Sequence, residues 1–259
     1  MKPLLGMVVA MASEARLLLG AGSWHRIEGH WVRRACLPDG TDLMAVRAGI
    51  GVERASAAAS WLISEGVSAL MGMGLSGGLY PGLKAGQLVV AKSVLAMDCG
   101  KNRTCWTADA AAVDHARAAF ASEGVPVACG TVLTTAEGIL TVSRKASLFN
   151  QTRALAVDME SAAIARAAQE THLPFFILRA VCDPADEAVP RALFDCLDGS
   201  GKIRPAAVLR HLARRPSLAF EMHRMGRRYA AAGKALKAGW RVQMRSRLYH
   251  PLISSCRRG

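Results

Sequence analysis

Short apolar runs alternate with Ala-rich amphipathic stretches along most of the chain. Residues 4–11 and 43–48 are nearly unbroken runs of strand length. Each ends in small or polar residues that open a helix, one beginning at Ser13 and the other spanning residues 52–64. The alternation returns at 69–73, which runs into Gly74-Leu75-Ser76-Gly77-Gly78, read as a glycine loop. It returns again at 88–91 and at 131–134, the latter after a helix around 110–122. A helix at 159–170 then precedes 175–182, a continuous apolar strand broken only by Arg179. Strands buried on both faces and interleaved with helices predict an α/β fold, a three-layer α/β/α sandwich with a central mixed, largely parallel sheet. In such sheets ligands collect at the carboxyl ends of strands. No repeat of 20–50 residues is visible, which disfavours a solenoid or propeller.

The polar stretch Asp198-Gly199-Ser200-Gly201 divides a body, residues 1–200, from a helical extension, residues 201–259. In the extension Leu218, Met222, Met225, Tyr229, Ala232, Leu236 and Trp240 share one stripe at helical spacing. Arg224, Arg227, Arg228, Lys234, Lys237 and Arg241 point away from it. Charge sharpens this division. The chain carries 33 Lys+Arg against 20 Asp+Glu, a formal +13, yet 15 of the basic residues and one acid, Glu221, lie in residues 202–258. The body is therefore close to neutral. A basic amphipathic helix ending in Trp240 suits an anionic membrane surface. Its other placement is as a closing helix, stripe packed on the body. A nucleic-acid partner is disfavoured because no binding motif accompanies the arginines.

With 51% hydrophobic residues the chain has material for one substantial core, which excludes disorder for most of it. The apolar N-terminus is interrupted by Glu14 and Arg16 and reads as a first strand rather than a signal peptide. No apolar run approaches the roughly 20 residues of a spanning helix. The expected location is the cytoplasm, at most peripheral to the inner membrane face. Seven cysteines, an odd number without a Cys-x-x-Cys pair, suggest neither a disulfide framework nor a zinc ribbon. Asp98, Cys99 and Cys105 could be metal ligands, but no second cluster completes them, so no metal is expected.

Four segments carry chemistry: Met11-Ala12-Ser13-Glu14; Ala48-Gly49-Ile50-Gly51; the glycine segment 74–78; and Val157-Asp158-Met159-Glu160 paired with Arg179-Ala180-Val181-Cys182-Asp183. In order and spacing, from about residue 5 to residue 195, they resemble the nucleoside phosphorylase and nucleosidase superfamily. The likeness is strongest to its methylthioadenosine/adenosylhomocysteine nucleosidase branch. Leu75-Ser76 and the long basic tail depart from that branch and look like the hopanoid-associated subgroup, which is linked to releasing adenine from adenosylhopane. The resemblance implies an adenosyl nucleoside as substrate, lipid-linked in that subgroup, no cofactor, and a homodimer.

Breaking an N-glycosidic bond builds positive charge on the ribose and negative charge on the departing purine. The reaction thus calls for an acid near purine N7 and a carboxylate acting on water. Asp183 would be the acid, which requires a protonated, relatively dry carboxyl. Glu14 would act on water, although an acid in a first helical turn also simply favours the dipole. Glu160 would accept hydrogen bonds from the ribose hydroxyls, with Met159 packed on the sugar. Arg179, costly in an apolar strand unless paired, is given a catalytic place, with Glu14 as its candidate partner. Ser76, Gly77 and Gly78 would meet the substrate, with Ser76 one place later than the usual serine. Ile139 and Leu140 would cover the base where the branch has an aromatic residue. Phosphorolysis, with inorganic phosphate as co-substrate, would need an anion site, for which Arg47, Gly49 and Gly51 are the candidates. The acid Glu14 would repel phosphate, so water is the favoured nucleophile. A binding protein that senses nucleosides without turnover is the rival class, disfavoured by the retention of Glu14, Glu160 and Asp183 together.

Overall fold

The computed structural model describes residues 3–97, 103–196, 198, 204–247 and 252. Asp98 and Cys99 of the considered metal set lie outside the described residues, as does most of the chain beyond residue 247. Among the described residues no three His, Cys, Asp or Glu side chains gather as a metal site.

The apolar runs become strands of one mixed sheet. Its centre is formed by β4 (Asp42–Arg47), β1 (Leu4–Val9), β5 (Ala69–Gly78) and β10 (Phe175–Asp183), each parallel to its neighbour. β6 (Leu88–Met97) and β8 (Val127–Thr134) are also parallel, and the short β9 (Ala156–Asp158) runs parallel to β8. Because β10 pairs both β5 and β6, while β9 bridges β8 and β5, the strands β5, β10, β6, β8 and β9 close into a ring. The hairpin β2 (His25–Ile27) and β3 (His30–Cys36) extends the far edge antiparallel to β4, and β7 (Arg103–Thr107) pairs with β6.

Residues 74–78 differ from expectation: they do not form a loop but continue β5. Leu75 and Ser76 pair with β10, while Gly77 and Gly78 pair with Val157 and Ala156 of β9. Small residues are needed there because side chains from neighbouring strands lie across the backbone. A Cβ on Gly78 would meet Val181 at 3.1 Å, and one on Gly77 would meet the Asp183 carboxylate at 3.0 Å.

Helices cover both faces. α2 (Val52–Ser64) packs with α5 (Ser161–Glu170) on one side. On the other, α8 (Leu218–Ser246) packs against β10, against α1 (Ala12–Leu19) and against α3 (Ala110–Ser122). α4 (Val142–Thr152), α6 (Arg191–Asp195) and α7 (Pro205–Arg214) complete the order.

α8 takes the second of the two placements read from the sequence, that of a closing helix with its stripe on the body. Ala232, Leu236, Trp240 and Val242 are buried in the same core as β5 and β10. The helix lies so close to the sheet that a Cβ on Gly239 would meet Leu178 at 2.9 Å and Leu88 at 3.0 Å. α8 is thus an integral layer, and the boundary at residue 200 does not set it apart as an extension. Its apolar stripe faces protein, where burial of Trp240 and Leu236 removes it from any lipid. What stands out on this side instead is Leu209 of α7 and Phe220 at the start of α8, 68% and 67% exposed. No helix among the described residues is long and apolar enough to cross a membrane.

Candidate active site

A cavity of about 250 Å³ opens at the carboxyl ends of β1, β5, β9 and β10. Glu14, Glu160 and Asp183 all line it, with Met11, Ile50, Leu75, Ser76, Gly77, Ile139 and Met159. The remaining wall is α8, which contributes Met225 and Tyr229. Among the described lining residues there is no Lys or Arg.

Glu14 sits in the first turn of α1 and is 2% exposed. Its Oε2 accepts from the Met11 amide at 2.9 Å and its Oε1 from the Leu75 amide at 2.8 Å. The first contact caps the helix; the second ties it to β5. Burial raises its pKa, and the two amides and Arg179 partly oppose this. The carboxyl is therefore a stronger base than an exposed glutamate, and rigidly aimed.

Glu160 follows β9 and is the residue before α5. Its Oε1 accepts from the Gly51 amide at 2.9 Å, a contact across 109 residues of chain. Burial pushes its pKa up to about 7, with Arg179 lowering it and Asp158 raising it. Behind it lies a buried cluster. Arg179 Nε is 2.7 Å from Asp158 Oδ2 and Nη2 is 3.9 Å from Glu160. Ser161 Oγ accepts from both Arg179 nitrogens, and Thr134 donates to Asp158 at 2.7 Å. The principal partner of Arg179 is thus Asp158, not Glu14. Arg179 does not line the cavity, so its expected catalytic place becomes a supporting one: a paired charge that braces the carboxylates from behind.

Asp183 ends β10 at the cavity wall. Its Oδ2 lies 2.6 Å from Nζ of Lys145, a fully buried lysine on α4. Burial raises the Asp183 pKa, and Lys145 followed by Arg228 pulls against it. The neighbouring Cys182 thiol is pushed up to about 12, chiefly by burial and then by the charge of Asp183, which makes it inert as a nucleophile.

Other expectations divide. Ser76, Gly77, Ile139 and Met159 line the cavity as expected. Ser76 Oγ is buried without a hydrogen-bond partner among the described residues, the condition of a group that awaits a ligand. Leu140 and Gly78 do not line the cavity. The Leu140 carbonyl accepts from the Val189 amide and anchors that loop, while Gly78 is consumed by strand pairing. The anion site is not assembled. The Arg47 guanidinium lies over the rings of Trp24 and Trp31, 5.7 and 5.0 Å from their centroids. Such cation–π contact holds it at the sheet edge. Gly51 spends its amide on Glu160, and Gly49 donates to the Ala10 carbonyl.

Lys145, Asp158, Met225 and Tyr229 were missed as site residues. Asp158 stood within a quoted motif, where its spacing to Arg179 was the available clue. Met225 and Tyr229 were assigned to a stripe, and only the docking of α8 shows that part of this stripe meets the cavity. Tyr229 donates to Ser13 beside Glu14, which fixes the wall to the first turn of α1.

The sequence profile described as "Phosphorylase superfamily" matches residues 5–214. A futalosine hydrolase of Streptomyces coelicolor is 34% identical over 195 residues, spanning 65% of this chain and 80% of the relative. A 5′-methylthioadenosine/S-adenosylhomocysteine nucleosidase of Shewanella denitrificans is 26% identical over 58% of this chain and 72% of its own length. Among solved structures, a Francisella philomiragia protein solved as a candidate for that nucleosidase superposes with a TM-score of 0.70 at 19% identity. It covers 95% of this chain and 98% of its own, so the fold likeness includes the C-terminal helices. Fold, motif spacing and sequence agree, and the chain belongs to the phosphorylase superfamily.

Proposed function

We propose that the protein hydrolyses the N-glycosidic bond of an adenosyl nucleoside and releases the base, with water rather than phosphate as nucleophile. The observation that carries this reading is the gathering of Glu14, Glu160 and Asp183 around one cavity whose described lining holds no cationic side chain. Ionised Glu14 and Glu160 would repel phosphate but suit a cationic ribosyl transition state, while Asp183 serves in its protonated form. In this reading Glu160 accepts from the ribose hydroxyls and Met159 packs on the sugar. Glu14, ionised and held by two amides, takes the proton of the attacking water. Asp183 protonates the departing purine. A positioned acid or base of this kind contributes about 10²–10⁴ in rate.

The preference for adenine rests on the family likeness. Met11, Ile50, Met225 and Tyr229 make the rest of the cavity apolar and suit an uncharged, greasy 5′ substituent. This supports the finer reading of a lipid-linked substrate such as adenosylhopane. Access from an anionic membrane would run through the α7–α8 corner, where Leu209 and Phe220 stand exposed near Arg210, Arg214 and Arg227. The deciding experiment measures free base from adenosylhopane, methylthioadenosine, futalosine and inosine, each with and without phosphate. Release without phosphate from at least one of the first three is expected. Strict phosphate dependence would overturn water as nucleophile, and no release from any compound would leave the nucleoside-sensing alternative.

A further inference from the structure

Lys145 is a buried charged group beside Asp183 that the proposed chemistry does not use. It is 0% exposed, and its Nζ reaches four oxygens. These are Asp183 Oδ2 at 2.6 Å and the carbonyls of Asp183, Pro184 and Glu187 at 3.1, 2.8 and 2.9 Å. Four acceptors around one nitrogen are the surroundings an ammonium needs. The three carbonyls belong to the turn that directly follows β10, so a single side chain on α4 clamps the strand end that presents Asp183. The same turn is held from the other side, where Arg224 and Arg228 of α8 pair with the Glu187 carboxylate. Burying a lysine is costly unless it is paired, and here the pairing is with Asp183 and the turn after it.

We propose that Lys145 is a positioning residue acting through Asp183: it fixes the carboxyl against the purine and makes it a stronger proton donor to the departing base. The inference rests on the reading of Asp183 as the general acid. With Oδ2 occupied by Lys145, Oδ1 is the oxygen that meets the base. As the C1′–N9 bond breaks, its electron pair leaves with the purine. The Oδ1–H bond then breaks and an N7–H bond forms. The ammonium steadies the carboxylate left behind. Water adds its oxygen to C1′ and passes one proton to Glu14, which returns it to solvent while Asp183 is reprotonated. Lys145 keeps its proton throughout. The charged and titratable groups around Asp183 are Lys145 on α4, Arg228 on α8, Cys182 beside it on β10, Glu187 in the turn and Glu14 on α1. Burial drives the Asp183 carboxyl towards its protonated form, and the two cations oppose it.

The test compares two leaving groups and a pH profile. Lys145→Gln should lower kcat/KM for methylthioadenosine by about 10²-fold, the scale of a lost general acid. Hydrolysis of p-nitrophenyl β-D-ribofuranoside, whose nitrophenolate leaves without protonation, should change by less than roughly threefold. The high-pH limb of kcat/KM, where Asp183 loses its proton, should move to higher pH once the neighbouring cation is gone. Lys145→Arg keeps a cation and should keep the limb in place. Equal losses on both substrates, or an unmoved limb, would reduce Lys145 to a structural strut. Independently of turnover, the ¹³C carboxyl resonance of Asp183, assigned with Asp183→Asn, should titrate at lower pH in wild type than in Lys145→Gln. Identical titrations would overturn the proposal. Wild-type inactivity on both substrates would instead count against the nucleosidase reading.

Discussion

Gly74 is the point where the two halves of the site touch, and Gly74→Ala probes the contact with one methyl group. A Cβ there would lie 2.6 Å from Arg179 Nη1 and 2.8 Å from Glu14 Oε1. Ordinary contact begins near 3.4 Å, so each group must retreat by roughly 0.6–0.8 Å. Neither has slack. Arg179 is pinned to Asp158 at 2.7 Å and to Ser161, and Glu14 is pinned by two backbone amides at 2.8 and 2.9 Å. Overpacking of this size costs about 1–3 kcal/mol. For a chain of this length each kcal/mol lowers Tm by roughly 2–4 °C, so a drop of about 2–12 °C is expected. Displacing the base by most of an ångström should also lower kcat by about 10²-fold. Thermal unfolding followed by circular dichroism and steady-state base release measure the two effects. Gly226→Ala is the control, since among the described residues no atom outside its chain neighbours and the adjoining helix backbone lies within 4 Å of an added methyl, and its helical position favours alanine by about 1 kcal/mol. A Gly74→Ala protein with wild-type Tm and wild-type turnover would refute the packing argument.

Three further outcomes are expected. Trp240→Ala should destabilise the whole protein by about 3–5 kcal/mol in denaturant unfolding, because the helix is core; a loss below 1 kcal/mol would return α8 to the status of an appendage. Glu160, with a pKa of about 7, is protonated in acid and accepts sugar hydroxyls best when ionised, so kcat/KM should rise with pH through about 7 and lose this limb in Glu160→Gln. Since the folded value lies above the unfolded one, Glu160 favours the folded state at low pH, and that contribution disappears as pH rises through 7. Glu160→Gln should flatten the decline seen in unfolding curves from pH 5 to 8. Finally, Leu209→Ser/Phe220→Ser should reduce co-sedimentation with phosphatidylglycerol vesicles at least about fivefold without changing methylthioadenosine turnover; equal sedimentation of variant and wild type would remove the membrane corner.

Elements whose pattern is set by burial alone were legible. The helices 52–64 and 110–122 end where Ala-rich periodicity ends, and β10 follows an apolar run whose one charge is paired internally. The edge hairpin β2–β3 was not, because Arg33 and Arg34 break its apolar pattern on a strand that is only partly covered. The glycines at 74–78 looked like a turn because their reason for being small is external: side chains from β10, β9 and α1 cross them. The three carboxylates were readable from motif spacing. Lys145 was not, since a lysine within an amphipathic helix carries no mark distinguishing a solvated ammonium from a buried one. Arg47 misled for the opposite reason: its aromatic partners Trp24 and Trp31 are remote in sequence and become neighbours only when β3 pairs with β4.

The wall that α8 gives to the cavity lies beyond residue 214, where the superfamily profile stops. On the proposed reading, the acid–base set and part of the cavity wall thereby lie in different stretches of the chain. Glu14, Glu160 and Asp183 lie within the shared region, while Met225 and Tyr229 belong to a helix that is itself tied to the site, through Tyr229 to Ser13 and through Arg224 and Arg228 to the Glu187 turn. On the proposed reading, Met225 is a position through which the cavity can be reshaped without losing those ties. Exchanging Met225 for smaller or larger side chains, with Arg224, Arg228 and Tyr229 kept, is therefore a direct route to changing the room beside the carboxylates.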